Sequence, residues 1–277
     1  MIQPDAPVTR IGPATGWTPL ALHEMWERRE VFYLLVWRDI KLRYRHTRVG
    51  ALWALLQPLL SMLMLSLFGR IVGVKSHGLP YPLFAASGLV PWIYFTHALT
   101  QASNSLVQNE VLLTKTYFPR IMLPMAAVVS GAADFLVASL LLPFLMLYYH
   151  IPPSAHIVAL PLFMLLALIT ALSAGLWLAA LNIEYRDLTN ALPFLTQLLF
   201  FLTPLAYPAS MIPPPWRMFA GVNPLTGLVE GFRWALFGGG SPNLFLDVGL
   251  SLASVSILLT SGVVVFQRKE ERFAEIV

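Results

Sequence analysis

Hydrophobic and polar positions divide the chain into a polar leader, an amphipathic stretch and a series of long apolar runs. Proline, glycine and small polar residues dominate residues 1–19, which predicts a flexible tail. In residues 20–48 an apolar stripe has the i, i+3, i+4, i+7 spacing of a helix and consists of Tyr33, Val36, Trp37, Ile40 and Tyr44. Because aromatic rings and arginines suit the headgroup layer, we predict an amphipathic interface helix, broken near Glu30.

The apolar runs after residue 48 have the length of membrane helices. A hydrocarbon core roughly 30 Å thick needs about 20 helical residues. We therefore predict a transmembrane domain over residues 49–277, with spans at residues 49–68, 83–99, 121–148, 157–181, 191–211 and 245–266. Prolines interrupt the second and fifth spans, so neighbouring helices must satisfy the freed carbonyls. The predicted fold class is an all-α polytopic membrane protein with six transmembrane helices per protomer.

Composition and charge agree with this class and set the orientation. With 57% hydrophobic and 12% charged residues and a mean hydropathy of +0.68, the chain has too little polar surface for a soluble globule. No apolar run before residue 49 is long enough for a signal peptide, so we expect both termini in the cytoplasm. Of the 18 lysines and arginines, the external segments then hold only Arg70, Lys75, Arg217 and Arg233. Topology therefore explains the net charge of +4 better than nucleic-acid binding does.

Two connections between the spans have helical patterns of their own. The internal segment Asn109–Thr116 is predicted to be a short amphipathic helix that ends before Pro119 and docks into a partner's groove; a membrane-surface turn without a partner is the alternative. The external connection Pro208–Asn243 has helical spacing in its middle, Leu225–Phe237, but this stretch is too short and too charged to span. We expect re-entrant helices there, with Glu230 and Arg233 neutralising each other, or else an ordinary external loop.

One carboxylate, Asp134, falls near the middle of the third predicted span. Such a group must face protein or water. It therefore has either a functional role or a structural one, in which it bonds to serine and threonine hydroxyls on other helices. We find no phosphate-binding loop, no metalloprotease motif and no dinucleotide fingerprint, and the histidines lack metal-ligand spacing. We therefore expect no catalytic residue, metal site or cofactor on this chain.

Four stretches together resemble the membrane subunit of ABC-2 type polysaccharide exporters, the group of O-antigen, capsule and teichoic acid permeases. These stretches are WRDIKLRYRHTRVGALWALLQPLL, NEVLLTKTYFPRIMLP, NIEYRDL with the following LPFLTQLLFFLTPLAYP, and VNPLTGLVEGFRWALF. The resemblance implies a homodimer in the cytoplasmic (inner) membrane that pairs with two copies of a separate ABC ATPase. The pair would export a lipid-linked polysaccharide, with ATP and Mg bound by the partner. One alternative is an ABC-2 drug or lipid exporter. The other is an integral-membrane transferase, for which the charged turn at Glu184, Arg186 and Asp187 would have to supply the site.

The resemblance also assigns expected roles to residues. The ATPase-coupling residues would be Asn109, Glu110, Leu112, Leu113, Lys115 and Phe118. Lipid head groups carry phosphate, which the arginine fork binds in a bidentate manner, and the candidates at the mouth of the first span are Arg38, Arg43, Arg45 and Arg48. The same charges could serve only to orient the chain and to hold anionic lipids. Candidates for lining a sugar-conducting channel, or alternatively for facing lipid, are Trp53, Trp92, Tyr94, Asp134, Phe201 and Tyr207.

Overall fold

The computed structural model describes residues 22–45, 52–74, 76, 78–116, 118–185, 187–239 and 243–276. These ranges contain α-helices, two short 3₁₀-helices at Ala155–Ala159 and Ala209–Met211, and no β-strand. The α-helices are, in chain order, α1 (Leu22–Glu27), α2 (Arg29–Arg45), α3 (Leu52–Val72), α4 (Tyr81–Gln108), α5 (Glu110–Lys115), α6 (Met122–Ser139), α7 (Leu141–Tyr148), α8 (Leu160–Asn182), α9 (Leu188–Leu202), α10 (Pro214–Val222), α11 (Pro224–Phe237) and α12 (Leu244–Ile276). The all-α prediction is confirmed.

Four helical segments are long and apolar enough to cross a membrane. They are Leu52–Val72, Met122–Tyr148, Ala155–Asn182 and Leu244–Glu270, and they correspond to the predicted first, third, fourth and sixth spans. The second of these segments is interrupted at Leu140, between α6 and α7. The interruption has a local cause, because Pro143 has no N–H to donate to the carbonyl four residues earlier. The chain is therefore a multi-pass membrane protein.

Helix α4 lies at the centre of the bundle and covers the predicted second span, residues 83–99. It packs against α3, α6, α8 and α11, and most of its side chains are buried. Small residues permit this packing: a Cβ atom added to Gly175 of α8 would lie 2.7 Å from the Cβ of Ala102. Small side chains at helix contacts are typical of membrane proteins, where van der Waals packing drives association. We call the end of the bundle next to α5 the α5 end, and the opposite end the α11 end.

The predicted fifth span, residues 191–211, differs from the structure. Helix α9 begins at Leu188 and ends at Leu202, and Thr203 is already extended. Pro204 explains this end, because the residue before a proline is disfavoured in helical conformation. The 15 residues of α9 rise about 22 Å, which is less than the roughly 30 Å of a hydrocarbon core. Residues 203–208 form turns rather than the continuation of a helix.

Helix α11 is buried on nearly all sides, unlike a helix in an ordinary surface loop. Its first turn is capped by the Asn223 side chain, which accepts a hydrogen bond from the N–H of Leu225 at 3.1 Å. Two glycines permit close contact with other helices. A Cβ atom on Gly227 would lie 2.5 Å from the carbonyl oxygen of Asp247 on α12, and one on Gly231 would overlap the ring of Phe163 on α8. Side chains larger than hydrogen are therefore excluded at both positions.

Helices α1 and α2 form the predicted amphipathic segment, with a break at Arg28, close to the predicted break. The members of the expected stripe have different surroundings: Tyr33 and Trp37 are exposed, whereas Val36 packs beside the buried Leu35 and Tyr44 bonds to α6. Leu35 belongs to a hydrophobic cluster with Met122 at the start of α6. Eight residues later, α2 contacts α6 again near residue 130, so α2 lies lengthwise along α6.

Candidate functional site

Helix α5 forms the exposed connection between α4 and α6. Asn109 precedes this helix and Thr116 ends it, so the predicted short helix is present within one residue at each end. None of its residues is buried, and Glu110 and Lys115 are exposed. Leu112 and Leu113 pack against the hydrophobic cluster at the α5 end, whereas Val111 is 65% exposed. The sequence pattern did not reveal that Val111 provides the outward apolar surface of α5.

The chain that follows α5 is anchored to α12. Phe118 is buried in the same hydrophobic cluster as Phe266 of α12. The N–H of Arg120 donates to a carboxylate oxygen of Glu270 at 3.3 Å, and its guanidinium donates to the Glu270 carbonyl at 2.5 Å. These contacts join the segment after α5 to the last helix of the chain.

The four candidate head-group arginines have different surroundings. Arg38 forms an ion pair with its neighbour Asp39, with 2.9 Å between nitrogen and oxygen. Arg43 contacts α6, and Arg45 is exposed at the end of α2. Arg48 lies outside the described residues. The role of these arginines in head-group binding stays a prediction.

Asp134 forms a polar contact between α2 and α6. Its carboxylate forms an ion pair with Arg43 and accepts a hydrogen bond from the hydroxyl of Tyr44. Burial, together with this hydrogen bond, raises the pKa of Tyr44 to about 12, so the hydroxyl remains a donor. Arg43 also reaches Ser130, at 3.5 Å from its carbonyl and its hydroxyl.

This contact corrects the expectation that Asp134 is tied to serine or threonine hydroxyls. Its partners are instead an arginine and a tyrosine, and the serine hydroxyl contacts the arginine. The reason is that α2 packs along α6 and brings Arg43 about halfway along the span. A lone carboxylate in an apolar helix, together with a strongly basic segment elsewhere in the chain, was the signal that could have suggested this pairing.

Two of the channel-lining candidates are covered within the protomer. Trp92 and Tyr94 are buried side chains of α4. The Tyr94 ring stacks on Phe135 with 4.6 Å between centroids, and its hydroxyl donates to the carbonyl of Val128 at 3.1 Å. Trp92 meets Phe200 of α9 edge to face. In this structure neither ring lies at the surface of the protomer.

The other aromatic candidates are more accessible. Trp53 of α3 is 56% exposed, and Phe201 of α9 is 66% exposed. Tyr207 is partly buried and donates its hydroxyl to the carbonyl of Phe201 at 3.0 Å. Trp53, Phe201 and Tyr207 therefore remain available for a channel wall or a lipid-facing belt.

The ion pair predicted at the α11 end is present and buried. Arg233 lies 2.9 Å from Glu230, and both side chains are about 95% inaccessible to solvent. The guanidinium also donates to the carbonyls of Pro204 at 2.7 Å and Leu205 at 2.9 Å, and it lies 3.7 Å from the centre of the Phe84 ring. Arg233 thus joins α11, the turn after α9 and the start of α4. The carbonyls that it binds lie where Pro204 prevents regular helix.

In the described ranges no group of three or more histidine, aspartate or glutamate side chains is placed to hold a metal ion. The arrangement consists instead of long apolar helices, a buried helix at one end and a short exposed helix at the other. These features define a helical, multi-pass membrane protein with a short exposed helix at one end of the bundle.

The chain belongs to the ABC-2 type transporter family, whose model matches residues 30–237. It is 31% identical to the O-antigen export system permease protein RfbA of Myxococcus xanthus over 257 residues, covering 92% of this chain and 98% of that protein. The RfbA protein of Klebsiella pneumoniae is 28% identical over 248 residues, covering 86% and 92%. The polysialic acid transport protein KpsM of Escherichia coli is 24% identical over 247 residues, covering 84% and 91%.

Proposed function

We propose that this chain is the permease subunit of an ABC-2 type exporter that moves a lipid-linked polysaccharide of the O-antigen or capsule type out of the cytoplasm. The observation that carries the proposal is the 31% identity to an O-antigen export permease over 92% of the chain. The likeness to a polysialic acid transport protein supports the same substrate class. The protein would reside in the cytoplasmic membrane of a bacterium.

The proposed topology has six spans, formed by α3, α4, α6 with α7, α8, α9 completed by the turns at residues 203–208, and α12. The 28 residues of α4 rise about 42 Å, which is enough to cross, and its burial by other helices explains its tolerance of polar residues. Helices α10 and α11 would re-enter the outer leaflet, which protein cover makes possible for α11. Both termini and the α5 end would face the cytoplasm, as the distribution of lysine and arginine favours.

The functional unit would be a homodimer that binds two copies of an ABC ATPase. Helix α5 supports this proposal, because it is short, exposed and positioned between two central helices of the bundle. ATP and Mg would bind to the ATPase, whose nucleotide hydrolysis would move α5 and, through Phe118 and Arg120, also α12. The start of the amphipathic helix α2 would lie at the cytoplasmic membrane interface in the dimer. Arg45 is exposed at the other end of α2, where it would bind a phosphate head group that is drawn in along this helix.

Deleting the gene for this chain tests the proposed function. Cells that lack a polysaccharide exporter accumulate the finished, lipid-linked glycan on the cytoplasmic side, whereas cells that lack a drug or lipid exporter do not. Glycan content inside spheroplasts and at the cell surface would be measured in parallel, with complementation by the parent gene. Normal surface glycan in the deletion strain would contradict the proposal.

We expect Val111→Asp to weaken binding of the ATPase while leaving the fold of the permease intact. A carboxylate on the outward face of α5 cannot enter an apolar groove without losing its hydration. The binding constant measured with the purified subunits should fall at least tenfold. Thr114→Asp is the matched control: Thr114 is also exposed on α5, but its side chain is polar already. Equal binding by the parent and the Val111→Asp variant would remove α5 from the interface.

The aromatic channel wall can be tested because the chain contains no cysteine. We expect single cysteines at Trp53 and Phe201 to react with a water-soluble thiol reagent during export. A cysteine at Ile257, which is exposed on the last proposed span and would face lipid, should remain unlabelled. Labelling is measured by mass spectrometry of the purified protein. Protection of both positions in actively exporting cells would assign these rings to the lipid-facing belt.

A further inference from the structure

Three polar side chains from three helices meet at the α5 end of the bundle. Asn104 comes from the last turns of α4, Asn182 from the last residue of α8, and Thr189 from the first turn of α9. The side-chain nitrogen of Asn182 donates to the carbonyl of Ser103 at 3.1 Å and to the side-chain oxygen of Asn104 at 3.0 Å. These two bonds use both N–H groups of Asn182 and fix the orientation of both amides.

The hydrogen bonds in this amide–hydroxyl cluster cannot all form at the same time. The Thr189 hydroxyl lies 3.1 Å from the side-chain oxygen of Asn104 and 3.0 Å from that of Asn182. A hydroxyl has one proton, so Thr189 can donate to only one of the two oxygens. Within the described ranges, the side-chain N–H groups of Asn104 have no protein acceptor, and the buried hydroxyl of Ser103 has no partner either.

Among the described residues, the cluster therefore has an acceptor without a donor, the Thr189 hydroxyl oxygen, and donors without an acceptor, the N–H groups of Asn104. Thr189 is exposed and Asn104 is partly exposed, so a ligand can reach these atoms, while Asn182 is 1% exposed and forms the base of the cluster. A sugar hydroxyl donates one hydrogen bond and accepts others, which matches both requirements. The three side chains of the cluster carry no charge, which favours hydroxyl groups over a phosphate.

We propose that Asn104, Asn182 and Thr189 form a binding site for sugar hydroxyls at the entrance of the export path. This assignment rests on the proposed function, because it requires that the chain exports a glycan. A glycan hydroxyl donates to the hydroxyl oxygen of Thr189 and accepts an N–H of Asn104. The site contacts the glycan rather than its lipid carrier, so it contributes to the choice of sugar.

The test compares Thr189→Val with Thr189→Ser in the purified complex of permease and ATPase in lipid nanodiscs. ATP hydrolysis is measured against two probes: the lipid-linked glycan extracted from the host strain, and the same carrier after acid removal of the glycan. Thr189→Val should raise the half-maximal glycan concentration about tenfold, since one hydrogen bond is lost. Thr189→Ser should stay within about twofold of the parent, because the hydroxyl is retained. The response to the stripped carrier should not change in either variant.

Thr196→Val is the matched control, because the Thr196 hydroxyl is on the same helix but bonds to the Pro193 carbonyl at 2.9 Å. A second measurement uses Thr189→Cys in this cysteine-free chain: glycan should slow its modification by a thiol reagent, and stripped carrier should not. Two results would show that the cluster only holds helices together. One is an equal shift of the half-maximal concentration for both probes in Thr189→Val; the other is slower modification of Thr189→Cys with the stripped carrier alone. If the glycan does not change ATP hydrolysis by the parent complex, the proposed function itself is refuted.

Discussion

Replacing Arg233 by methionine is expected to lower the free energy of unfolding by about 3–5 kcal/mol, the range for breaking a buried ion pair from one side. The substitution leaves the Glu230 carboxylate buried without its counter-charge. It also removes the donor for the carbonyls of Pro204 and Leu205, which have no helical partner to replace it. Lysine cannot substitute, because a single ammonium group does not reach both carbonyls and the carboxylate at once.

Thermal and denaturant unfolding in nanodiscs, followed by tryptophan fluorescence, measures this loss. The double variant Glu230→Met with Arg233→Met should recover a large part of the stability, because no charge is then left unpaired in the core. Arg70→Met, at the exposed end of α3, is the control and should change stability by less than about 0.5 kcal/mol. Parent-like unfolding of the Arg233→Met variant would show that the guanidinium contributes nothing at the α11 end.

Breaking the contact between Arg43 and Asp134 is expected to detach α2 from α6 and to abolish export. Asp134→Ala leaves Arg43 without its counter-ion and Tyr44 without its acceptor, a cost of about 1–3 kcal/mol concentrated at one helix contact. Exchanging the two charges, with Arg43→Asp and Asp134→Arg together, should restore part of the export. Surface glycan and protease sensitivity of α2 are the measurements.

Lysine variants separate this structural role of Arg43 from head-group binding. Arg43→Lys keeps a cation opposite Asp134 and should retain most of the attachment of α2. Arg45→Lys keeps the charge of an exposed side chain but loses the fork that binds phosphate, so export should fall while protease sensitivity stays unchanged. Full export by the Arg45→Lys variant would leave only the orienting role for Arg45. Parent-like protease sensitivity of Asp134→Ala would contradict the attachment.

Features that depend on local spacing could be predicted from the sequence. Four of the six predicted spans coincide with long apolar helices, α5 was predicted within one residue at each end, and the i, i+3 pair Glu230 and Arg233 was recognised. In each case the pattern extends over one helix turn or one helix, where periodicity and capping decide the structure. The family resemblance was likewise confirmed by a match over residues 30–237.

Features that depend on contacts between helices far apart in the sequence could not be predicted from the sequence. The pairing of Arg43 with Asp134 joins residues 91 positions apart, and it required knowing that α2 lies along α6. The same limitation hid the inward direction of Leu112, since periodicity identifies an apolar face but not what covers it. Pro204 indicated that α9 could end early. The position of the turn after α9, however, depends on Arg233, which lies 29 positions after Pro204 in the chain.

The two glycines of α11 have a mechanical consequence for transport. At Gly227 and Gly231 the helix backbone lies directly against α12 and Phe163 of α8, so no slack exists for sliding at these contacts. We therefore expect helices α8, α11 and α12 to move together. Helix α9, in contrast, buries only Leu192 and is followed by turns at residues 203–208. We expect the hinge of the transport cycle in those turns, with α9 swinging against a body that does not deform.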